Sequence, residues 1–233
     1  MYKNILLKIS GETLAGEGKF GFDFDVLNKL CKNIKKLHLK KIKISIVIGG
    51  GNFMRGSELS NGVLDRVTSD YMGMLGTVMN SMALQSNLEK LGIQTRVMTA
   101  LNINQIAEPY IKRKASRHLE KNRVVIFAAG TGNPFFSTDT AAVLRASEMK
   151  CDVILKATKV DGIYDKDPYK NKNAKKIPKI SYSDFLNKEI KVMDATAISL
   201  AKDRNLPIVI FSILDSSNIV KIVDLKGKYS IIN

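Results

Sequence analysis

Apolar residues along this chain fall into two alternating patterns. Short runs rich in Ile and Val occur at Ile5–Ile9, Lys43–Ile48, Gln94–Met98, Arg123–Phe127, Asp152–Leu155 and Pro207–Phe211. Several are apolar almost throughout, the pattern of strands buried on both faces. Between them lie stretches with helical spacing. In Asp25–Leu39, Leu27, Leu30, Ile34 and Leu37 share one face. A longer stretch, about Asp65–Leu91, carries Met72, Leu75, Val78, Met79, Met82 and Leu88, and its methionines are read as packing rather than as a ligand site. Further helices are predicted at Ile111–Lys121, Thr140–Met149 and Ala195–Asn205. Strands alternating with helices predict an α/β fold: a mainly parallel central sheet sandwiched by helices.

No internal repeat interrupts this order. The polar stretch Asp165–Lys179, with Pro168 and Pro178, reads as a long surface excursion. The chain is read as one domain, 1–233, whose lobes meet near Lys150 on a shared sheet. Its 233 residues suffice for a large core without disulfides or metals. The only cysteines, Cys31 and Cys151, make no disulfide framework, so a reducing cytoplasm is expected. Met1–Ser10, interrupted by Lys3 and Lys8, does not read as a secretory signal, and no apolar run reaches the ~20 residues of a membrane span.

The formal charge of +15 raises the question of nucleic acid. The lysines are dispersed, however, and many fall on solvent faces of predicted helices, as at Lys32, Lys35, Lys36, Lys40 and Lys41. No nucleic-acid-binding motif accompanies them. The charge is read as a solvated basic surface that also favours phosphorylated small molecules.

The residues that suggest chemistry cluster at predicted strand ends, where open α/β sheets bind ligands. The first strand runs into Lys8-Ile9-Ser10-Gly11, and the second into Gly49-Gly50-Gly51-Asn52 with Arg55 and Gly56 just after. Phe127 leads to Ala129-Gly130-Thr131-Gly132-Asn133-Pro134, and Leu155 to Lys156-Ala157-Thr158-Lys159-Val160-Asp161-Gly162. Glycine loops present backbone N–H groups to anionic oxygens, and Lys8 and Arg55 add positive charge. Together they read as a polyphosphate site. No Walker A loop is present. Gly16-Glu17-Gly18-Lys19-Phe20-Gly21 matches G-x-G-x-x-G but does not directly follow the first strand, so it is read as a hairpin. His38 and His118 have no partners at metal-ligand spacing.

These motifs resemble the amino acid kinase superfamily and, within it, the bacterial UMP kinases. Lys8-Ile9-Ser10-Gly11-Glu12 and Gly49-Gly50-Gly51-Asn52 with Arg55-Gly56 are similar to the superfamily opening. Asp70-Tyr71-Met72-Gly73-Met74-Leu75, with Thr77-Val78-Met79-Asn80, resembles a uridylate-binding helix. Gly130 to Asp139 resembles the acceptor loop; Lys156 to Tyr164, with Asp167-Pro168, resembles the ATP-site loop; Lys191-Val192-Met193-Asp194 completes the set.

The resemblance implies an amino acid kinase-like fold and transfer of the ATP γ-phosphoryl group to UMP, in pyrimidine nucleotide synthesis. It implies catalytic roles for Lys8, Asp139 and Asp194, and ATP contacts from Lys8, Ile9, Ser10, Gly11, Gly51, Arg55, Thr158, Tyr164 and Asp167. UMP would contact Gly50, Asp70, Thr131, Gly132, Asn133, Pro134, Phe135, Phe136, Ser137 and Thr138. Residues 1–150 would form the UMP side and 151–233 the ATP side. Mg²⁺ would arrive with ATP, near Asp139 and Asp194, with no protein ligand assigned. The family implies a homohexamer, inhibition by UTP and activation by GTP, the last involving the loop Gly16–Gly21. The alternatives are a kinase of the same scaffold acting on a carboxylate or carbamate, and an additional DNA-binding role.

Overall fold

A computed structural model describes residues 1–18, 20–54, 64–188, 190, 192–213 and 217–233. The chain opens with strand β1 (Asn4–Ile9), the short helix α1 (Gly11–Leu14), helix α2 (Phe24–Leu39) and strand β2 (Lys43–Ile48). The 25-residue helix α3 (Arg66–Lys90) follows, then β3 (Thr95–Thr99), β4 (Glu108–Pro109), α4 (Lys112–Glu120) and β5 (Val124–Ala128). The remainder is α5 (Thr138–Glu148), β6 (Val153–Thr158), β7 (Ile163–Tyr164), β8 (Lys176–Ile177), β9 (Lys179–Ile180), α6 (Tyr182–Asn187), α7 (Ala195–Asp203), β10 (Ile208–Ser212), α8 (Asn218–Ile222) and β11 (Ser230–Ile232).

Among the described residues, nine strands form one sheet in the order β4-β3-β5-β2-β1-β6-β10-β11-β9. Its neighbours run parallel except β10 and β11. The sheet crosses position 150 without a break, because β6 pairs directly with β1. The six strands expected from the apolar runs are all present. The Asp165–Lys179 excursion is more ordered than its polar composition suggests: Ile163–Tyr164 and Lys176–Ile177 pair into a hairpin, and Lys179 enters the main sheet through β9.

Side chains alternate across the strands, so each strand supplies two cores. Ile5, Leu7 and Ile9 of β1 and Val209 and Phe211 of β10 pack with Leu14, Leu30, Ile34, Leu84 and Ile222 on one face. Leu6, Ile154, Ile208 and Ile210 pack with Leu119, Val143, Phe185 and Ile198 on the other. Helices α2, α3 and α8 therefore cover one face, and α4 to α7 the other. Alternation also fixes Lys8: it shares the face of Leu6, against α5 and α7.

The methionines of α3 do not behave alike. Met74 is buried, but Met79 and Met82 are 45% and 42% exposed, so packing within the chain accounts for only part of that pattern. Val67, Tyr71 and Leu75 extend the same outward apolar face.

Phe211, fully buried in β10, fills the core beneath α8. Phe211→Ala should cost about 3–5 kcal/mol, the usual result of emptying a packed aromatic site. Urea unfolding would show this as a lower midpoint with an unchanged slope.

Candidate active site

The site lies at the carboxyl ends of the strands around β1. The chain leaves β1 for β2 on one side and returns through β6 on the other, and open α/β sheets leave a crevice where the strand order divides in this way.

Register places two cations there. Lys8 of β1 lies opposite Lys156 of β6, and both point to the α5/α7 face. Each is only 7% exposed. Two ammonium groups buried side by side would repel strongly, and Asp139, in the first turn of α5, answers both. Its Oδ1 lies 2.6 Å from Lys8 Nζ, and its Oδ2 is paired with Lys156 Nζ. Lys156 also donates to the Val192 carbonyl at 2.6 Å. Burial alone would raise the Asp139 carboxyl, but Lys8 and Lys156 outweigh it and hold the pKa below the ordinary value. Burial, with repulsion from Lys8, pulls the Lys156 ammonium down to about 8 against the attraction of Asp139.

Asp194 flanks the start of α7 as its N-cap residue, yet its side chain makes no capping hydrogen bond. It acts instead on Lys156, whose charge it favours. Among the described residues no group of three or more His, Cys, Asp or Glu is placed to hold a metal.

Two clefts flank this ion triad. The larger, about 370 Å³, is lined by Tyr164 and Asp167 together with Ile163, Pro168, Ile190 and Val192. The Tyr164 hydroxyl is turned back to Asp161 at 2.7 Å, and Thr158, at the end of β6, donates to the Val160 carbonyl. The smaller cleft, about 150 Å³, is lined by Gly50, Gly51, Asp70, Phe136, Ser137 and Thr138, with Gly73 and Thr77 of α3 behind them. Thr138 of the smaller cleft immediately precedes Asp139, and the Val192 carbonyl of the larger cleft receives Lys156, so the triad is linked to both clefts through residues that line them.

Asp70 ties α3 to the loop before α5. It accepts from the Phe135 N–H at 2.7 Å and from Arg66 Nε at 2.9 Å. That loop starts with a tight reversal: Gly132, at φ +82, backs onto Ala100. As a result Thr131, Gly132, Asn133, Pro134 and Phe135 do not line the small cleft, whereas Phe136, Ser137 and Thr138 do. Thr131 and Asn133 bond to each other, and Phe135 is 67% exposed beneath the Arg66 guanidinium. Ser137 caps α5 by accepting from the Asp139 and Thr140 N–H groups, which fixes Asp139.

The glycines of the other loops are needed for close approach. A Cβ on Gly11 would meet the Gly49 carbonyl at 2.5 Å and Gly51 N at 2.7 Å. One on Gly50 would meet the Gly73 carbonyl at 2.5 Å, so the loop lies directly on α3. Ile9 and Ser10 connect β1 to α1 beside this contact. Arg55 lies outside the described residues. Lys156 received no separate role from the sequence, although it follows an apolar run as Lys8 follows Ile5–Leu7; the strand in fact continues to Thr158, so Lys156, like Lys8, is a strand residue.

This arrangement defines a class. The chain belongs to the amino acid kinase family, whose model matches residues 3–212. Similarity then narrows to one group of its members. The chain is 52% identical over 231 residues to the uridylate kinase of Rickettsia prowazekii (strain Madrid E), covering 99% of this chain and 96% of that protein. Identity to the uridylate kinase of Rickettsia canadensis (strain McKiel) is also 52%, with the same coverage. The crystal structure of UMP kinase from Bacillus anthracis superposes with a TM-score of 0.96 at 39% identity, covering 100% of this chain and 96% of that one.

Asp139→Asn should leave two buried ammonium groups facing each other, and should cost about 3–5 kcal/mol at neutral pH. Lys156 already has a folded pKa of about 8 against an ordinary 10.5, so its unfolded form binds more protons in that interval. Its contribution to stability is therefore present above 10.5 and is lost as pH falls through about 8. The variant should recover part of its deficit as pH rises, because deprotonation relieves the repulsion. Denaturant unfolding of both proteins between neutral pH and pH 10 would reveal a narrowing gap; a constant gap would contradict the ion-triad account.

Proposed function

We propose that the chain is a UMP kinase, catalysing reversible transfer of the ATP γ-phosphoryl group to the phosphate of UMP to give UDP and ADP, a step in pyrimidine nucleotide synthesis. The observation that carries this reading is the Lys8–Asp139–Lys156 triad, linked through Val192 to a cleft lined by Tyr164 and Asp167 and through Thr138 to one lined by Gly50, Asp70 and Phe136–Thr138. The whole-length similarity to proteins named uridylate kinase supports it. Donor and acceptor are both polyanions, so the task is to bring phosphates together and neutralise the charge that develops. The acceptor is already a phosphate and needs no strong general base.

In this reading Lys8 and Lys156 face the transferring phosphoryl group, and Asp139 holds their spacing. The roles of Ile9, Ser10, Gly11, Gly51, Arg55, Thr158, Tyr164 and Asp167 lie with ATP. Gly50, Asp70 and the Thr131–Thr138 loop serve UMP, the narrow end of the loop at Phe136–Thr138 making the closest approach. Residues 1–150 thus carry the acceptor cleft and 151–233 the Tyr164–Asp167 cleft of the donor, while Ile9–Gly11, Gly51 and Arg55 reach the ATP phosphates from the first lobe. Both Asp139 oxygens are engaged by lysines, which fits a Mg²⁺ ion held mainly by ATP phosphates, with Asp194 as the nearby carboxylate. Bound with ATP, the ion would supply charge neutralisation at the phosphate oxygens.

Helix α3 supports the assembly reading. Its outward face of Val67, Tyr71, Leu75, Met79 and Met82 is an apolar stripe that suits a second copy, the unit from which a homohexamer is built. UTP would inhibit from the acceptor cleft, its added phosphates reaching toward Lys8. GTP would activate from a separate site. The two free, buried cysteines suit a cytoplasmic enzyme.

A coupled ADP-release assay with UMP, CMP, dUMP, dTMP and AMP, alongside acetylglutamate, glutamate, aspartate and carbamate, tests the reading. UMP should be strongly preferred; preference for a carboxylate or carbamate would overturn it. Lys8→Ala should lose at least ~100-fold in turnover, the scale of one transition-state electrostatic contact. Asp70→Asn should raise the UMP requirement far more than the ATP requirement. It should weaken UTP inhibition in parallel, measured as a rise in the inhibition constant against UMP.

A further inference from the structure

Among the buried polar residues of helix α3 that the reaction scheme leaves unused, Ser69 and Ser81 bond to carbonyls of the helix and its cap, whereas Thr77 and Asn80 reach neighbouring loops. Thr77 accepts from the Ala129 N–H at 2.7 Å and so holds the exit of β5. Asn80 is fully buried beside Asn52, which is 1% exposed. The two amides bond reciprocally: Asn52 Nδ2 donates to Asn80 Oδ1 at 2.9 Å, and Asn80 Nδ2 donates to Asn52 Oδ1 at 2.7 Å. Each amide spends its second N–H on a backbone carbonyl. Asn80 donates to Gly49 O at 2.7 Å, and Asn52 donates to Gly21 O at 2.8 Å. The carbonyls leave no freedom in orienting the amides, since only the NH₂ groups can face them.

Gly49 is the first residue of the glycine loop that separates the two nucleotides. The loop has no side chains of its own until Asn52, so packing cannot set its path. Contacts from outside must do so, and α3 supplies them from Gly73 beneath Gly50 and from Asn80 at Gly49. We propose that Asn80 is a positioning residue for phosphoryl transfer: it fixes the Gly49–Gly51 backbone that the nucleotide phosphates meet, and Asn52 extends the same clamp to the turn ending at Gly21. The proposal rests on the reading of Gly50 and Gly51 as phosphate-side residues. The backbone bond from Gly21 N to Asn52 O, at 3.0 Å, completes the outer half.

The two halves of the clamp can be opened separately. Asn52→Ala removes the amide pair and the bond to Gly21 but leaves Asn80 able to hold Gly49. Asn80→Ala removes the same pair and frees Gly49, while Asn52 can still hold Gly21. Both sites are equally buried, so both variants should melt at a lower and similar temperature. Their kinetics should differ. At saturating ATP and UMP, and at a temperature where both remain folded, Asn80→Ala should lose roughly 10- to 100-fold in turnover, the scale of a small misplacement of reacting groups. Asn52→Ala should lose less than about 5-fold, the loss left when a bond outside the phosphate loop is removed. Should Asn80→Ala not purify folded, the matched pair Asn80→Leu and Asn52→Leu, which fills the space without a donor, gives the same comparison. Equal losses in the two variants, or near-parental turnover in a folded Asn80 variant, would overturn the proposal. Failure of the parent enzyme to phosphorylate UMP would instead count against the reading of the site.

Discussion

The site is organised by a single electrostatic requirement: two lysines buried on adjacent strands cannot remain charged without a shared counter-ion. Parallel pairing sets Lys8 against Lys156, and strand alternation sends both to one face. Asp139 must then arrive from that face with one oxygen for each. Its position is secured by the start of α5, where Ser137 caps the helix and fixes the first turn. The loop between β5 and α5 therefore has to end where it does. The geometry that makes the lysines tolerable also holds both ammonium groups beside one carboxylate. An exposed pair of the same residues would contribute little; burial in a low-dielectric surrounding makes the pairing obligatory.

Helix α3 provides the second organising element. Along one side it makes three contacts with two loops. Asp70 meets Phe135 N, Thr77 meets Ala129 N, and Asn80 meets Gly49 O. Two of these contacts hold the loop between β5 and α5, and the third holds the glycine loop. The sheet supplies the lysines, but α3 decides how far the loops above them stand apart.

Much of this was legible in the sequence for a physical reason. Buried parallel strands read as nearly continuous apolar runs, so β1, β2 and β10 stood out, and the 3.6-residue spacing of Leu27, Leu30, Ile34 and Leu37 marked α2. Strands of two or three residues, such as β4, β7 and β8, carry no periodicity and were not visible. The end of β6 is not legible because Lys156 interrupts its apolar run, although a lysine inside a buried strand, as Lys8 is in β1, was the signal available. Asp139 and Asp70 were named from motif resemblance, while their partners depend on register and loop path. Asn52 and Asn80 each look ordinary alone; their pairing spans 28 residues and exists only in the folded chain.

The division of α3 into faces also limits how this protein can change. Asp70, Gly73, Thr77 and Asn80 lie along the inner side, and Tyr71, Leu75, Met79 and Met82 along the outer. An α-helix turns about 100° per residue. Replacing a side chain alters one contact, but inserting or deleting one residue near Gly73 would rotate everything beyond it by that angle. Thr77 and Asn80 would leave their loops in the same event that moved the outer apolar stripe. The helix can therefore drift in composition while its length stays fixed, and length variation among related sequences should collect in the loops on either side of it.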